Sequence, residues 1–294
     1  MSAQQDERAE GTARPADAPG GYSARPLIGV IGALGPAATV DFYAKVVAAT
    51  AATRDQEHVR LLIDGDPEVP DRSMAIAGTG PSSAPALVAK ARRLAAAGAD
   101  LLVMPCNSAH AFEPDIRAAV DLPFVSIVEE AVRVAGDLLA RSGGKSSDGV
   151  EQEPNGEAAV GILATSGTHA AGTYRAALRR AGIGIVEPTP AEVEQFMTLL
   201  GRIKGGAAGD ADVRSSMAHL AARLVERGAA VIIAGCTEAP LVLDERSLAA
   251  ELRTRGLRTA AFVDSTAALA HAVVELGTGL RDPYETGERV RAKL

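Results

Sequence analysis

Two segments of this chain run in parallel, and each ends in a cysteine. Residues 91–106 read ARRLAAAGADLLVMPC and residues 221–236 read AARLVERGAAVIIAGC, and one interval of 130 residues separates Leu94 from Leu224, Gly98 from Gly228, Ala99 from Ala229 and Cys106 from Cys236. Each copy is a helix-period run, a glycine of the kind that stops a helix in the left-handed conformation, an apolar strand, and a thiol at the strand's carboxyl end. The starts of the halves match as well, since Gly29 corresponds to Gly161 and Gly35 to Gly167 at an interval of 132. A helix–stop–strand unit repeated in this way constrains the chain to two similar α/β halves. Cys106 and Cys236 are the chain's 2 cysteines.

The pattern between these landmarks alternates short apolar strands with amphipathic helices. In the first half it predicts strands at 27–31, 60–63, 101–104 and 124–127 and helices at 37–51, 85–97 and 129–141. In the second half it predicts strands at 159–163, 183–186, 231–234 and 261–263, helices at 169–181, 191–201 and 213–227, and a final helix after the last strand. Alternation at these lengths predicts parallel sheets joined by crossover helices. The expected fold is therefore α/β, with two duplicated, pseudo-twofold domains, each a parallel sheet flanked by helices. Ligands of such folds bind beyond the carboxyl ends of the strands. If the halves face each other with those ends opposed, both cysteines meet across one interdomain cleft.

Residues 1–24 are polar, rich in Ala, Gly, Pro and Asp, and without hydrophobic period, so they read as a disordered tail. A Gly/Ser-rich stretch at 142–158 reads as a flexible loop. The expected division is an N-terminal domain of 25–127 plus 264–294 and a C-terminal domain of 128–263.

Composition removes several classes of function. With 30 basic and 37 acidic residues the net charge is −7, which disfavours a nucleic-acid or anionic-membrane partner. The absence of Trp disfavours base-stacking platforms. No apolar run approaches the length of a membrane span, and the amino terminus lacks the apolar centre of a secretory signal. Two cysteines do not make a disulfide framework, and the cytosol is the expected compartment.

The turn Gly29-Val30-Ile31-Gly32-Ala33-Leu34-Gly35-Pro36 has GxxGxxG spacing rather than the dinucleotide GxGxxG, and no acidic residue is clearly placed for a ribose. A tight strand-to-helix turn is the plainer reading; small-anion binding at the helix N-terminus is the other. Cys106 lies in PCNSAH and Cys236 in GCTEAPL. A lone cysteine after an apolar strand is usually inert core, but two at duplicated positions point to chemistry. No CxxC or HxxxH spacing supplies further zinc ligands.

Two thiols suit one task well. Inverting a carbon next to a carboxylate requires a proton to leave one face and another to arrive at the opposite face. A thiol whose ordinary pKa is about 8.5 becomes a usable base near neutrality when a helix N-terminus or a cation lowers it. One cysteine then acts as thiolate and the other as thiol. Asn107, Ser108 and Thr237 can hydrogen-bond a substrate carboxylate, and no cofactor motif is required. Thr165, Ser166 and Thr168, at the second half's Gly turn, either bind substrate or cap the following helix. Arg72 follows two prolines on a rigid loop and is either a surface cation or a bidentate clamp for a second carboxylate. Lys204 by itself reads as a solvated helix-end cation, His110 as structural, and the patch 187–194 as a solvated helix start.

These residues together resemble the aspartate/glutamate racemase family, and its aspartate racemase branch in particular. The resemblance extends from Leu27 to about Leu276 and rests on IGVIGALGPAAT (28–39), PEVPDR (67–72), PCNSAH (105–110) and GCTEAPL (235–241). It implies racemisation of a small acidic amino acid by a two-base mechanism at an interdomain cleft, without pyridoxal phosphate, other cofactor or metal, commonly in a homodimer. By motif it assigns Cys106 and Cys236 as the catalytic thiols, Arg72 as the receiver of the distal carboxylate, and Lys204 as a substrate contact. Three positions depart from the pattern. Ser108 stands where Thr is usual, Gly65-Asp66 where two Asn are frequent, and Glu238 follows Thr237 where glutamate racemases of cell-wall synthesis have His. Hydantoin racemases and maleate isomerases of the same superfamily also use two cysteines. A two-lobed protein that only binds a small acid is the rival outside enzymology, although such a protein has no need of paired thiols.

Overall fold

Alternate residues of the central strands of this protein face different cores, and that period of two places the helices. The computed structural model describes residues 25–142 and 159–282. The expected tail, and all of the expected central loop except Ser142, lie outside the described residues. The first half runs β1 (Leu27–Ile31), α1 (Pro36–Ala49), β2 (Arg60–Asp64), α2 (Arg72–Ile76), α3 (Ala84–Ala96), β3 (Leu101–Val103), α4 (Glu113–Ala119), β4 (Phe124–Val125) and α5 (Ile127–Ser142). The second runs β5 (Ala159–Ala164), α6 (Ser166–Ala171), α7 (Thr173–Arg180), β6 (Gly184–Val186), α8 (Pro190–Lys204), α9 (Ala211–Glu226), β7 (Ala229–Gly235), α10 (Glu245–Thr254), β8 (Ala261–Asp264) and α11 (Ser265–Gly277).

The result is two parallel four-stranded sheets of the same topology, ordered β2-β1-β3-β4 and β6-β5-β7-β8. Leu101 and Val103 of β3 and Val231 and Ile233 of β7 face one core shared by both sheets, which α1, α5, α7 and α11 help to fill. Leu102 and Met104 face a second core under α3 and α4, while Ile232 and Ala234 face a third under α8, α9 and α10. Burial of these apolar faces is the main favourable term holding the layers together.

The duplication is exact enough to show in atomic packing. A Cβ on Gly29 would lie 2.9 Å from Ala99 Cβ and 3.3 Å from Leu94 Cβ; a Cβ on Gly161 would lie 3.0 Å from Ala229 Cβ and 2.9 Å from Leu224 Cβ. Each β1 or β5 glycine thus lets the corresponding helix, α3 or α9, press against its sheet. The stop glycines are equivalent too: Gly98 has φ 88° and Gly228 has φ 109°, a region an L side chain rarely occupies.

Several expectations are corrected. The single helix expected at 169–181 is two helices, α6 and α7, separated by Gly172 at φ 66°. The strand expected at 124–127 stops at Val125, and Ile127 already begins α5. Helices α2, α4 and α10 were not anticipated. The patch 187–194 is not simply a solvated helix start. Glu192 closes a capping box with Thr189 and is buried against Arg223 (2.8 Å) and Arg227 (2.8 Å). Among the described residues no helix is long and apolar enough to cross a membrane.

Candidate active site

The loops at the carboxyl ends of β1, β2, β3, β5 and β7 converge, together with the end of α8, on a small cleft between the two halves. Both cysteines line it, as do Arg72, Asn107, Ser108, Thr165, Thr168, Lys204 and Thr237. Of the residues singled out as site candidates from sequence, Ser166 alone does not border this cavity: it is exposed in the first turn of α6.

Cys106 follows the buried strand β3 and belongs to the core beneath α3 and α4. Its Sγ lies 3.7 Å from Ser108 Oγ and 4.0 Å from the Leu34 carbonyl. The backbone carrying it is tightly fastened. His110 Nε2 accepts the Ile127 N–H (3.2 Å), so Nδ1 carries the proton and donates to the Cys106 carbonyl (2.8 Å). Burial pushes the His110 pKa down and keeps the ring neutral, in keeping with a structural role. The Asn107 amide accepts from Tyr174 Oη (2.6 Å) and donates to Ser265 Oγ (3.1 Å), which donates in turn to the Ala234 carbonyl (2.7 Å). This buried chain links the residue after the first thiol to the strand that bears the second.

Cys236 follows β7, and its thiol donates to Glu238 Oε2 at 3.2 Å. Thr237 Oγ1 donates to the same oxygen at 3.2 Å. Burial, the charge of Glu238 and the nearby Cys106 all push the Cys236 thiol well above its ordinary range, so at neutral pH it is protonated. Lys204 Nζ stands 3.8 Å from Glu238 Oε1 at the end of α8.

Arg72 is placed by a loop that is held at both ends. Asp71 caps α2 by accepting the Met74 N–H (2.9 Å), and Ser83 Oγ donates to the Pro70 carbonyl (3.0 Å). From behind, the buried Lys90 donates to Asp64 Oδ1 (3.0 Å) and to the Asp66 carbonyl (2.7 Å), and Arg93 pairs with Asp64 at 2.8 Å. The unusual Gly65-Asp66 step belongs to this outer network and does not line the cleft. The Arg72 guanidinium donates through both terminal nitrogens to the carbonyls of Val69, Pro70 and Leu34, while its buried Nε has no partner among the described residues. Of the five guanidinium N–H groups, three are thus engaged and two, on Nε and on one terminal nitrogen, are not.

The remaining hydroxyls are partly engaged. Thr165 caps α6, and its Oγ1 lies 3.0 Å from Thr168 Oγ1. The two Gly turns acquire a cross-lobe role that sequence reading missed. A Cβ on Gly35 would lie 2.6 Å from Glu238 Oε1, and one on Gly167 would lie 2.7 Å from Ser73 Oγ. Each turn leaves room for a side chain of the opposite half. Gly35 caps α1, so the anion found against that helix start is the chain's own Glu238. Glu238 was noted in the sequence only as a departure from the glutamate racemase pattern. The available signal was its offset, since it follows Cys236 at the spacing of Ser108 after Cys106. Among the described residues no group of three or more His, Cys, Asp or Glu is placed to hold a metal ion.

The comparisons with known proteins agree with this architecture. The chain is 26% identical to the aspartate racemase of Picrophilus torridus, with a TM-score of 0.67 over 86% of this chain and 94% of that one. An aspartate racemase homologue from Pyrococcus horikoshii OT3, 22% identical, shares the fold with a TM-score of 0.61 over 86% of this chain and 99% of that one. A glutamate racemase of Limosilactobacillus fermentum is 27% identical over 150 residues, 51% of this chain and 48% of that protein. The chain thus spans about half the length of the curated relatives it matches. The Asp/Glu/Hydantoin racemase family model matches residues 31–273, and the chain belongs to that family of isomerases.

Proposed function

We propose that this protein is a cofactor-independent racemase of acidic amino acids, with aspartate as its first candidate substrate and Cys106 and Cys236 as the two bases. The observation that carries this reading is the opening of two duplicated thiols into one cleft that also presents Arg72 and Lys204. In one direction the Cys106 thiolate takes the Cα proton, and the Cys236 thiol gives its proton to the opposite face of the resulting carbanion. The pair ends with its protonation exchanged, ready for the reverse direction, and returns to its starting form by proton exchange with solvent. The raised pKa of Cys236 makes it the resting acid of the pair.

Arg72 and Lys204 favour a substrate with two carboxylates over a hydantoin. Arg72, which lines the cleft, takes the distal carboxylate, and Lys204 takes the α-carboxylate, where negative charge grows as Cα is deprotonated. The cytosol is the compartment in which two reduced thiols persist.

The test is chiral chromatography of a panel of L- and D-amino acids after incubation with the purified protein. Racemisation of aspartate, or of glutamate in second place, is expected. Arg72→Lys is expected to raise KM roughly 10- to 100-fold, the loss of a charged hydrogen bond of about 1.5–3 kcal/mol. Conversion of a hydantoin or of maleate in preference to every amino acid would overturn the reading.

A further inference from the structure

Among the described residues, four charged side chains border the cleft: Asp71, Arg72, Lys204 and Glu238. Asp71 is turned to its own backbone, where it caps α2. Two cations and one anion remain. An amino dicarboxylate carries the complementary set, two anions and one cation.

We propose that Glu238 seats the substrate's ammonium group, so that the cleft selects amino dicarboxylates over diacids and cyclic compounds without that charge. This rests on the racemase reading and specifies its substrate class.

The geometry supports it in two ways. First, Glu238 is 7% exposed, and its two oxygens are used unequally. Its Oε2 accepts from the Cys236 thiol and the Thr237 hydroxyl, whereas Oε1 has Lys204 Nζ at 3.8 Å, beyond hydrogen-bond reach. A carboxylate has about four acceptor sites, so a further donor can be accommodated. Second, Oε2 lies 3.2 Å from the Cys236 sulfur. An ammonium held by this carboxylate puts Cα, one bond away, beside the atom that exchanges its proton. It follows from the proposal that arrival of the ammonium frees Lys204 from Glu238 to meet the α-carboxylate.

The chemistry runs the same way. The anion of Glu238 favours the protonated form of the substrate nitrogen. An ammonium withdraws electrons from Cα more strongly than a free amine, so the proton to be removed is more acidic. The corresponding residue in the first half, Ser108, has no charge and offers no such seat.

The experiment measures calorimetric binding of matched pairs, L-aspartate with succinate and L-glutamate with glutarate, to the wild-type protein and to Glu238→Gln. Within each pair the carboxylates are the same and only the ammonium differs. The wild type is expected to bind the amino acid at least 10-fold more tightly than its diacid in one pair. In Glu238→Gln that preference disappears, through loss of amino-acid affinity with diacid affinity unchanged or improved. Glu238→Asp keeps the charge and is expected to retain part of the preference, which separates charge recognition from damage to the cleft. Equal loss of both ligands in Glu238→Gln, an unchanged preference, or no preference in the wild type would each overturn the assignment. Ammonium-dependent binding without racemisation of any amino acid would instead defeat the racemase reading and leave the ammonium seat standing.

Discussion

The two thiols occupy equivalent places in a duplicated fold, yet their surroundings differ. The residue two positions after each cysteine reaches its sulfur in both halves: Ser108 Oγ lies 3.7 Å from Cys106, and Glu238 Oε2 lies 3.2 Å from Cys236. The first neighbour is an uncharged hydroxyl and the second a carboxylate. A carboxylate that accepts the thiol's hydrogen bond opposes its ionisation. The backbones differ as well, because Cys106 is pinned by His110, Asn107, Tyr174 and Ser265, whereas the sulfur of Cys236 is held through Glu238. Duplication places two thiols at equivalent positions on one cleft, and divergence at the residue two positions on gives them different partners.

The largest effect is expected from the thiols themselves. Cys106→Ala and Cys236→Ala should each lower kcat by at least about 10³-fold, within the usual worth of a positioned acid or base. Steady-state rates check this. A variant that keeps ordinary turnover would mean that the two positions are not partners.

Tyr174→Phe should act mainly on the Cys106 side. It leaves the buried Asn107 carbonyl oxygen without its donor, a loss of about 1–3 kcal/mol, visible as a lower denaturation midpoint and a reduced kcat. Unchanged stability would show that the buried polar chain does not hold the first thiol.

The asymmetry can also be read by titration. Burial raises the Cys236 pKa first and the Glu238 charge raises it further, so Glu238→Gln should let Cys236 ionise at lower pH. In a Cys106→Ser background, the pH profile of iodoacetamide alkylation should move downward with Glu238→Gln. An unmoved profile would mean that the Glu238 charge does not hold the Cys236 proton. Smallest of all, Ser108→Ala should change kcat by no more than a few-fold, because its sulfur contact is long.

Much of the scaffold is legible in the sequence because it depends on local pattern. The parallel strands, the stop glycines Gly98 and Gly228, and the two thiols all follow from periodicity and repetition. What escaped depends on residues distant in the chain. Glu192 is buried because Arg223 and Arg227 reach it from α9 and its end, and nothing near Glu192 announces this. Gly35 and Gly167 look like ordinary turn residues until the opposite lobe is in place beside them. Helix α10 is a different kind of omission, since Asp244 and Ser247 form a capping box whose signal was there to be read. The break at Gly172 was likewise marked by its glycine, but a continuous helical pattern on both sides concealed it.

The most direct test of the central claim follows deuterium at Cα. L-aspartate incubated with the wild-type protein in D2O should give D-aspartate that carries deuterium from its first appearance, while the remaining L-aspartate stays largely protiated, because each face is served by its own sulfur. Deuterium entering both enantiomers at equal early rates, or product formed with its original hydrogen, would contradict two thiols acting from opposite sides.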